Sequence, residues 1–151
     1  MDKLSLSQNE KRGHAMDFQK LVDFRNTHNP FPQKLGIRVE EIRQGYARTT
    51  TAVTTDDENI AGMAHGGLFF SMADTAAGAA LSSYGRRGVT LNASFNYLRG
   101  AKPGDTLTAE AHEVKHGETI CVYDVEIRNQ DGTPVSTGTF TFFLLNEPLN
   151  G

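Results

Sequence analysis

The 151-residue chain has a mass of 16.5 kDa and a formal charge of −3, with lysines and arginines scattered among the acids. That size suits one domain around a single core, and the lack of a basic stripe excludes a nucleic-acid backbone or an anionic membrane surface as partner. The single cysteine, Cys121, excludes an intrachain disulfide framework, fits a reducing cytoplasmic compartment and reads as a core residue.

No apolar stretch approaches the ~20 residues of a spanning helix, and the opening residues, with Asp2 and Glu10, lack the apolar run of a signal peptide. Residues 1–14 are polar and aperiodic and are expected to form a frayed tail, leaving 15–151 as a single domain. From Met16 onward, Phe18, Leu21, Val22 and Phe24 recur at helical spacing up to Asn29-Pro30. This predicts a short amphipathic helix lying over one end of a sheet. After Pro32 the period changes to two: Leu35, Ile37 and Val39 share a face, Gly45 turns the chain, and the threonine-rich run Tyr46 to Thr54 makes a second strand.

A polar loop, Thr55 to Met63, leads to Gly66-Gly67, where a helix begins that runs to about Ser83 and is closed by Gly85. It is apolar nearly all round, which predicts burial. Four alternating segments follow. In the first, Val89, Leu91, Ala93, Phe95 and Tyr97 oppose Thr90, Asn92, Ser94 and Asn96; the second spans Thr106 to Lys115. In the third, Cys121, Tyr123, Val125 and Ile127 oppose Asp124, Glu126 and Arg128, and the Asp131-Gly132 turn leads to the fourth, Thr137 to Leu145. The class is therefore α+β. A mostly antiparallel sheet of about six strands buries one long central helix only by curling around it, which is a hotdog architecture. Exposed edge strands then invite association between subunits.

The chemistry concentrates at the start of the central helix. Asp74 stands among Phe69, Phe70, Met72, Ala73, Ala76 and Ala77, where a desolvated carboxylate needs a partner or a task. A hydroxyl such as that of Ser71 or Thr75 is the plain structural alternative. Upstream, the Gly66-Gly67 turn leaves unpaired backbone N–H groups at a helix N-terminus, an arrangement suited to a developing negative charge.

The run Asn59-x-x-Gly62-x-x-His65-Gly66-Gly67 with Asp74, then Gly88-Val89-Thr90-Leu91-Asn92 and Phe95-Asn96-Tyr97-Leu98-Arg99-x-x-Lys102-Pro103-Gly104-Asp105, resembles the PaaI branch of the hotdog acyl-CoA thioesterases. The likeness covers about residues 32–145 and leaves the first 30 uncovered. It implies hydrolysis of acyl-CoA thioesters with a medium-chain or aromatic acyl group, phenylacetyl-CoA-like. No metal and no cofactor is implied beyond the coenzyme A carried by the substrate. By resemblance the Gly66 N–H is the oxyanion donor, and Asp74 is general base or nucleophile, two roles the sequence does not separate.

Asn59 matches the residue that orients water or the acyl carbonyl, against a plain reading as a turn-forming Asn. His65 reads as an organiser of the helix start, and Thr90 matches a hydroxyl placed beside the acid. Gly67, Asn92, Arg99 and Lys102 are the expected substrate-binding positions. Arg86 and Arg87 join Arg99 and Lys102 as possible contacts of the nucleotide phosphates, although solvated surface charge explains any one of them equally well. A non-hydrolytic acyl-CoA binder or a hotdog hydratase or dehydratase would share the fold; the hydratase reading lacks the His/Asp or His/Glu pair typical of those families.

His112-Glu113-Val114-Lys115-His116 spells HExxH, which binds zinc only on a helix, where residues four apart share a face. Here it ends a strand-like run with Gly117 next, so the motif is set aside. Gly66 and Asp74 are eight residues apart, roughly 12 Å along one helix at 1.5 Å per residue. One carbonyl cannot meet both, so the site is expected to form between two chains, in a homodimer at minimum and a homotetramer as a dimer of dimers.

Overall fold

The computed structural model describes residues 16–149; the tail expected over residues 1–14 lies outside them. Helix α1 (Phe18–His28) is capped by Asp17, whose carboxylate accepts the Lys20 N–H at 3.1 Å, and it buries Leu21 and Val22. The chain then makes a second helix, α2 (Pro30–Lys34), where the sequence suggested only a break. Proline at a first helical position loses an N–H that would be unpaired anyway and already has a helical φ. Gly36, at φ 70°, turns the chain into β1 (Arg38–Arg43).

Asn26 fixes α1 to that strand. Its side-chain amide donates to the Val39 carbonyl at 2.8 Å and its Oδ1 accepts the Val39 N–H at 2.8 Å. The side chain thus stands in for the neighbouring strand that an edge strand lacks.

Strand β2 (Tyr46–Ala52) returns antiparallel to β1, a short 3₁₀ turn (Thr55–Asp57) follows, and α3 (Gly66–Ser82) crosses the molecule. The remaining strands are β3 (Arg86–Tyr97), β4 (Thr106–His116), β5 (Ile120–Arg128) and β6 (Pro134–Pro148). All pairings are antiparallel in the order β1-β2-β4-β5-β6-β3. The sheet stays open, curls over α3 so that the helix touches every strand, and leaves β1 and β3 as edges. Met72, Ala73, Ala76, Ala77 and Ala80 are sealed beneath it, small side chains that let the sheet approach the helix closely. Thr49 on β2 donates its hydroxyl to the Met72 carbonyl at 3.2 Å, which satisfies the one polar group it buries there.

On β5, Cys121, Tyr123, Val125 and Ile127 are buried as their alternation requires. Strand β3 departs from its pattern. Thr90 pairs with Phe142 and Asn92 with Thr141, so Leu91 is an extra residue, a bulge. Beyond it Ala93, Phe95 and Tyr97 face the helix side, with Phe95 against Phe70 and Phe140. Before it the phase reverses, and Val89 and Leu91 are 48% and 56% exposed. Simple alternation predicted one inward apolar face along the whole strand; the bulge divides it and turns Thr90 inward instead.

Replacing Asn26 by alanine removes both bonds to Val39 and is expected to cost about 1–3 kcal/mol of unfolding free energy. Urea denaturation of Asn26→Ala checks this; an unchanged midpoint would mean that α1 is held otherwise.

Candidate active site

Most of α3 is covered, but Gly67, Phe70, Ser71, Asp74 and Gly78 form one incompletely buried stripe at spacings of three and four residues. It faces β3, where the sheet ends. Asp74 is consequently half-buried rather than sealed in a core, as the apolar sequence around it had suggested. Its partner comes from across the fold: the Thr90 hydroxyl donates to Asp74 Oδ1 at 2.7 Å. The local alternative is not realised, because Thr75 spends its hydroxyl on the Ser71 carbonyl at 2.7 Å.

Asp74 and Thr90 line a depression of about 630 Å³ whose walls include Phe31, Phe70 and Val89. A residue that the sequence reading passed over, Arg25 of α1, lines it too. The signal was available: Arg25 lies four residues after Leu21 and three after Val22, hence on the buried face of α1. The residue as a whole is half-buried, yet its Nε is sealed from solvent without an acceptor. Burial pushes the guanidinium down to about 10, against the opposing pull of the Asp74 carboxylate. Arg86 and Arg87 also line this depression, but Arg86 donates to the Glu118 and Leu145 carbonyls and Arg87 pairs with Glu147.

The start of α3 belongs to a second, separate depression of about 380 Å³, lined by Asn59, Gly66, Phe69, Tyr97 and Arg99 among others. His65 is the N-cap of α3, and its Nδ1 accepts the Gly67 N–H at 2.8 Å. That uses the donor of Gly67 and leaves the Gly66 N–H with no acceptor among the described residues. Tyr97 donates to the Gly66 carbonyl at 3.1 Å, and its ring lies 3.1 Å from where a Cβ on Gly66 would sit. Asn59 turns the preceding loop: its Oδ1 accepts the Ala61 and Met63 N–H groups at 2.9 and 3.1 Å, leaving the side-chain amide to donate.

The remaining expected positions are dispersed. Asn92 sits beyond the bulge, paired with Thr141, and is a wall of neither depression. Lys102 is exposed, its backbone N–H held by Asp105 in the Pro103-Gly104 turn, and it too stands outside both. His112, Glu113 and His116 lie on β4, a strand, which lacks the shared helical face that an HExxH zinc site requires. Glu113 accepts from the Tyr84 hydroxyl, and His116 stacks on Tyr84 and bonds Cys121, whose thiol burial pushes up. Cys121 is the core residue it was expected to be.

An open antiparallel sheet curled round one long helix is the hotdog fold, here with an acid on that helix and, among the described residues, a backbone N–H without an acceptor at its start. Residues 61–136 match the family model of the Thioesterase superfamily. The chain is 39% identical over 102 residues to the acyl-coenzyme A thioesterase PaaI of Escherichia coli, covering 68% of this chain and 73% of that protein. The solved structure of E. coli PaaI superimposes with a TM-score of 0.83 over 86% of this chain and 94% of that one, at 31% identity. A hypothetical thioesterase protein from Streptococcus pneumoniae solved with coenzyme A matches with a TM-score of 0.71 at 40% identity, over 74% of this chain and 88% of that one. Variants of the pneumococcal protein with one aspartate or one threonine changed to alanine have also been solved, and those two positions are 16 residues apart, the spacing of Asp74 and Thr90. The chain belongs to the PaaI-type hotdog thioesterases of the Thioesterase superfamily.

Since His65 caps α3, His65→Ala should lower stability by ~1 kcal/mol, as loss of an N-cap does. Chemical denaturation beside turnover separates the roles: a large loss of activity at unchanged stability would make His65 a catalyst instead.

Proposed function

We propose that the chain hydrolyses acyl-CoA thioesters, with a medium-chain or aromatic acyl group, to the free acid and coenzyme A. The observation that carries this is the Asp74 carboxylate, held at Oδ1 by Thr90 on the open wall of a depression and free to react through its other oxygen. Asp74 either attacks the thioester carbonyl carbon, forming a mixed anhydride that water cleaves, or takes a proton from the water that attacks. In both routes the C–S bond breaks and the thiolate of coenzyme A leaves. The carbonyl oxygen gains negative charge, which the Gly66 N–H at the positive end of α3 stabilises. Asn59 and Arg99 share the Gly66 depression and suit contacts with the thioester and the nucleotide phosphates. The chemistry calls for no metal and no cofactor besides the coenzyme A of the substrate.

Within one chain the donor and the acid lie in different depressions, roughly 12 Å apart along α3. A second copy related by a two-fold axis brings the Gly66 turn of one protomer to Asp74 of the other. The exposed edge β3, with Val89, Leu91 and Tyr97 between 48% and 56% exposed, is the surface such a dimer would cover. Two dimers pairing as a tetramer, in the cytoplasm, completes this reading.

Subunit mixing tests it. Asp74→Asn alone should lose roughly 10² to 10⁴ in turnover with its fold intact. Gly66→Pro removes the N–H at a position whose backbone tolerates proline, and the half-exposed Tyr97 ring can give the few tenths of an ångström required. After exchange between these two inactive proteins, half the dimers are mixed with one intact site each, so about a quarter of wild-type activity should return. No recovery despite proven exchange would place the whole site in one chain.

A further inference from the structure

Resting on the hydrolytic reading above, with the acyl group placed in the Asp74 depression, we propose that Arg25 sets specificity there, so that among the acyl groups one ending in a carboxylate, as in the coenzyme A half-thioester of a dicarboxylic acid, is hydrolysed in preference to one ending in a methyl. Arg25 Nη2 lies 3.3 Å from where a Cβ on Gly78 would stand, so the guanidinium rests on α3 at a place any side chain would crowd. Gly78 follows Asp74 by one helical turn on the same open stripe, about 6 Å along the axis. The depression therefore holds two charged groups, the Asp74 carboxylate and, one helical turn along α3, the guanidinium of Arg25.

What the cation lacks, among the described residues, is a counter-ion in direct contact. Among the described residues no carboxylate comes within 4.0 Å of Arg25, no acceptor takes a hydrogen bond from it, and its Nε is sealed and unpaired. Asp74 attracts it only across a distance and is already bonded to Thr90. The neighbouring Arg86 and Arg87 have partners, whereas Arg25 has none in direct contact among the described residues. Phe31, Phe70, Val89 and Leu145 are apolar walls of the same depression.

A methyl-ended acyl chain would cover the guanidinium with hydrocarbon and leave a desolvated charge unpaired, which is costly. A carboxylate fills the planar fork with two charge-assisted bonds. The separation along α3 sets the spacing: a carbonyl at Asp74 and a carboxylate at Arg25 are joined by a short methylene spacer. A neutral hydroxyl satisfies one N–H but leaves the charge.

The test compares glutaryl-CoA with pentanoyl-CoA, which differ by carboxylate against methyl at the chain end. Wild-type protein should favour glutaryl-CoA in kcat/KM by about 10-fold to 10²-fold, the range of a charged hydrogen-bonded pair. Arg25→Gln should bring that ratio near one, mainly through KM, while Arg25→Lys keeps part of it. A wild-type ratio at or below one, or a preference that Arg25→Gln leaves unchanged, overturns the assignment. Binding of the two non-hydrolysable thioether analogues, measured by calorimetry, separates this from the hydrolytic reading. An affinity gap closed by Arg25→Gln supports the role of Arg25 even if no thiol is released, and the missing thiol then counts against hydrolysis alone.

Discussion

The hydrogen bond from Thr90 to Asp74 ties the central helix to the last strand of the sheet, and the geometry of the site depends on it. It exists because β3 carries one residue too many. With Leu91 bulged out, Thr90 turns to the same side as Ala93 and Phe95 and meets the carboxylate; in an unbroken ladder it would have faced away. The bulge interrupts the ladder of an edge strand, where pairing is weakest, and holds the Asp74 carboxylate in one orientation.

The second constraint is the division of labour along α3. At its N-terminus the Gly66 N–H has no acceptor among the described residues: His65 takes the Gly67 N–H, and Tyr97 fixes the Gly66 carbonyl with its ring against the place a side chain would occupy. Halfway down the helix, Asp74 opens into a different depression with the cation of Arg25 in its wall. Gly66 and Asp74 are fixed eight residues apart on one rigid helix, so the proposed mechanism joins donor and acid from two copies of the chain. The bonds from Asn26 to Val39 then matter to the pocket as well as to stability, since they hold the helix that delivers Arg25.

Much of this is legible in the sequence alone. Period-two runs marked the strands, Gly66-Gly67 marked the helix start, and one carboxylate among apolar residues marked the site. What could not be read were features set by tertiary pairing. The bulge at Leu91 looks like ordinary alternation in sequence, so Val89 and Leu91 were expected inside and Thr90 on the polar side. The half-exposure of Asp74 follows from where the sheet stops, a property of curvature rather than of neighbouring residues. Arg25 was within reach, given its place on the buried face of α1, yet only the fold reveals that this face meets the pocket. Asn92, grouped with the site by resemblance, stands beyond the bulge, paired with Thr141 and outside both depressions of the single chain.

The central claim is that Thr90 serves turnover through Asp74 and in no other way. A double-mutant cycle on kcat measures this directly, using Thr90→Val and Asp74→Asn singly and together. Thr90→Val should lower kcat by about 10-fold in the wild-type background, the order of one charge-assisted hydrogen bond, and should change almost nothing once Asp74 is asparagine. Equal losses in both backgrounds would show that the two residues act independently, and the account built on their bond would be wrong.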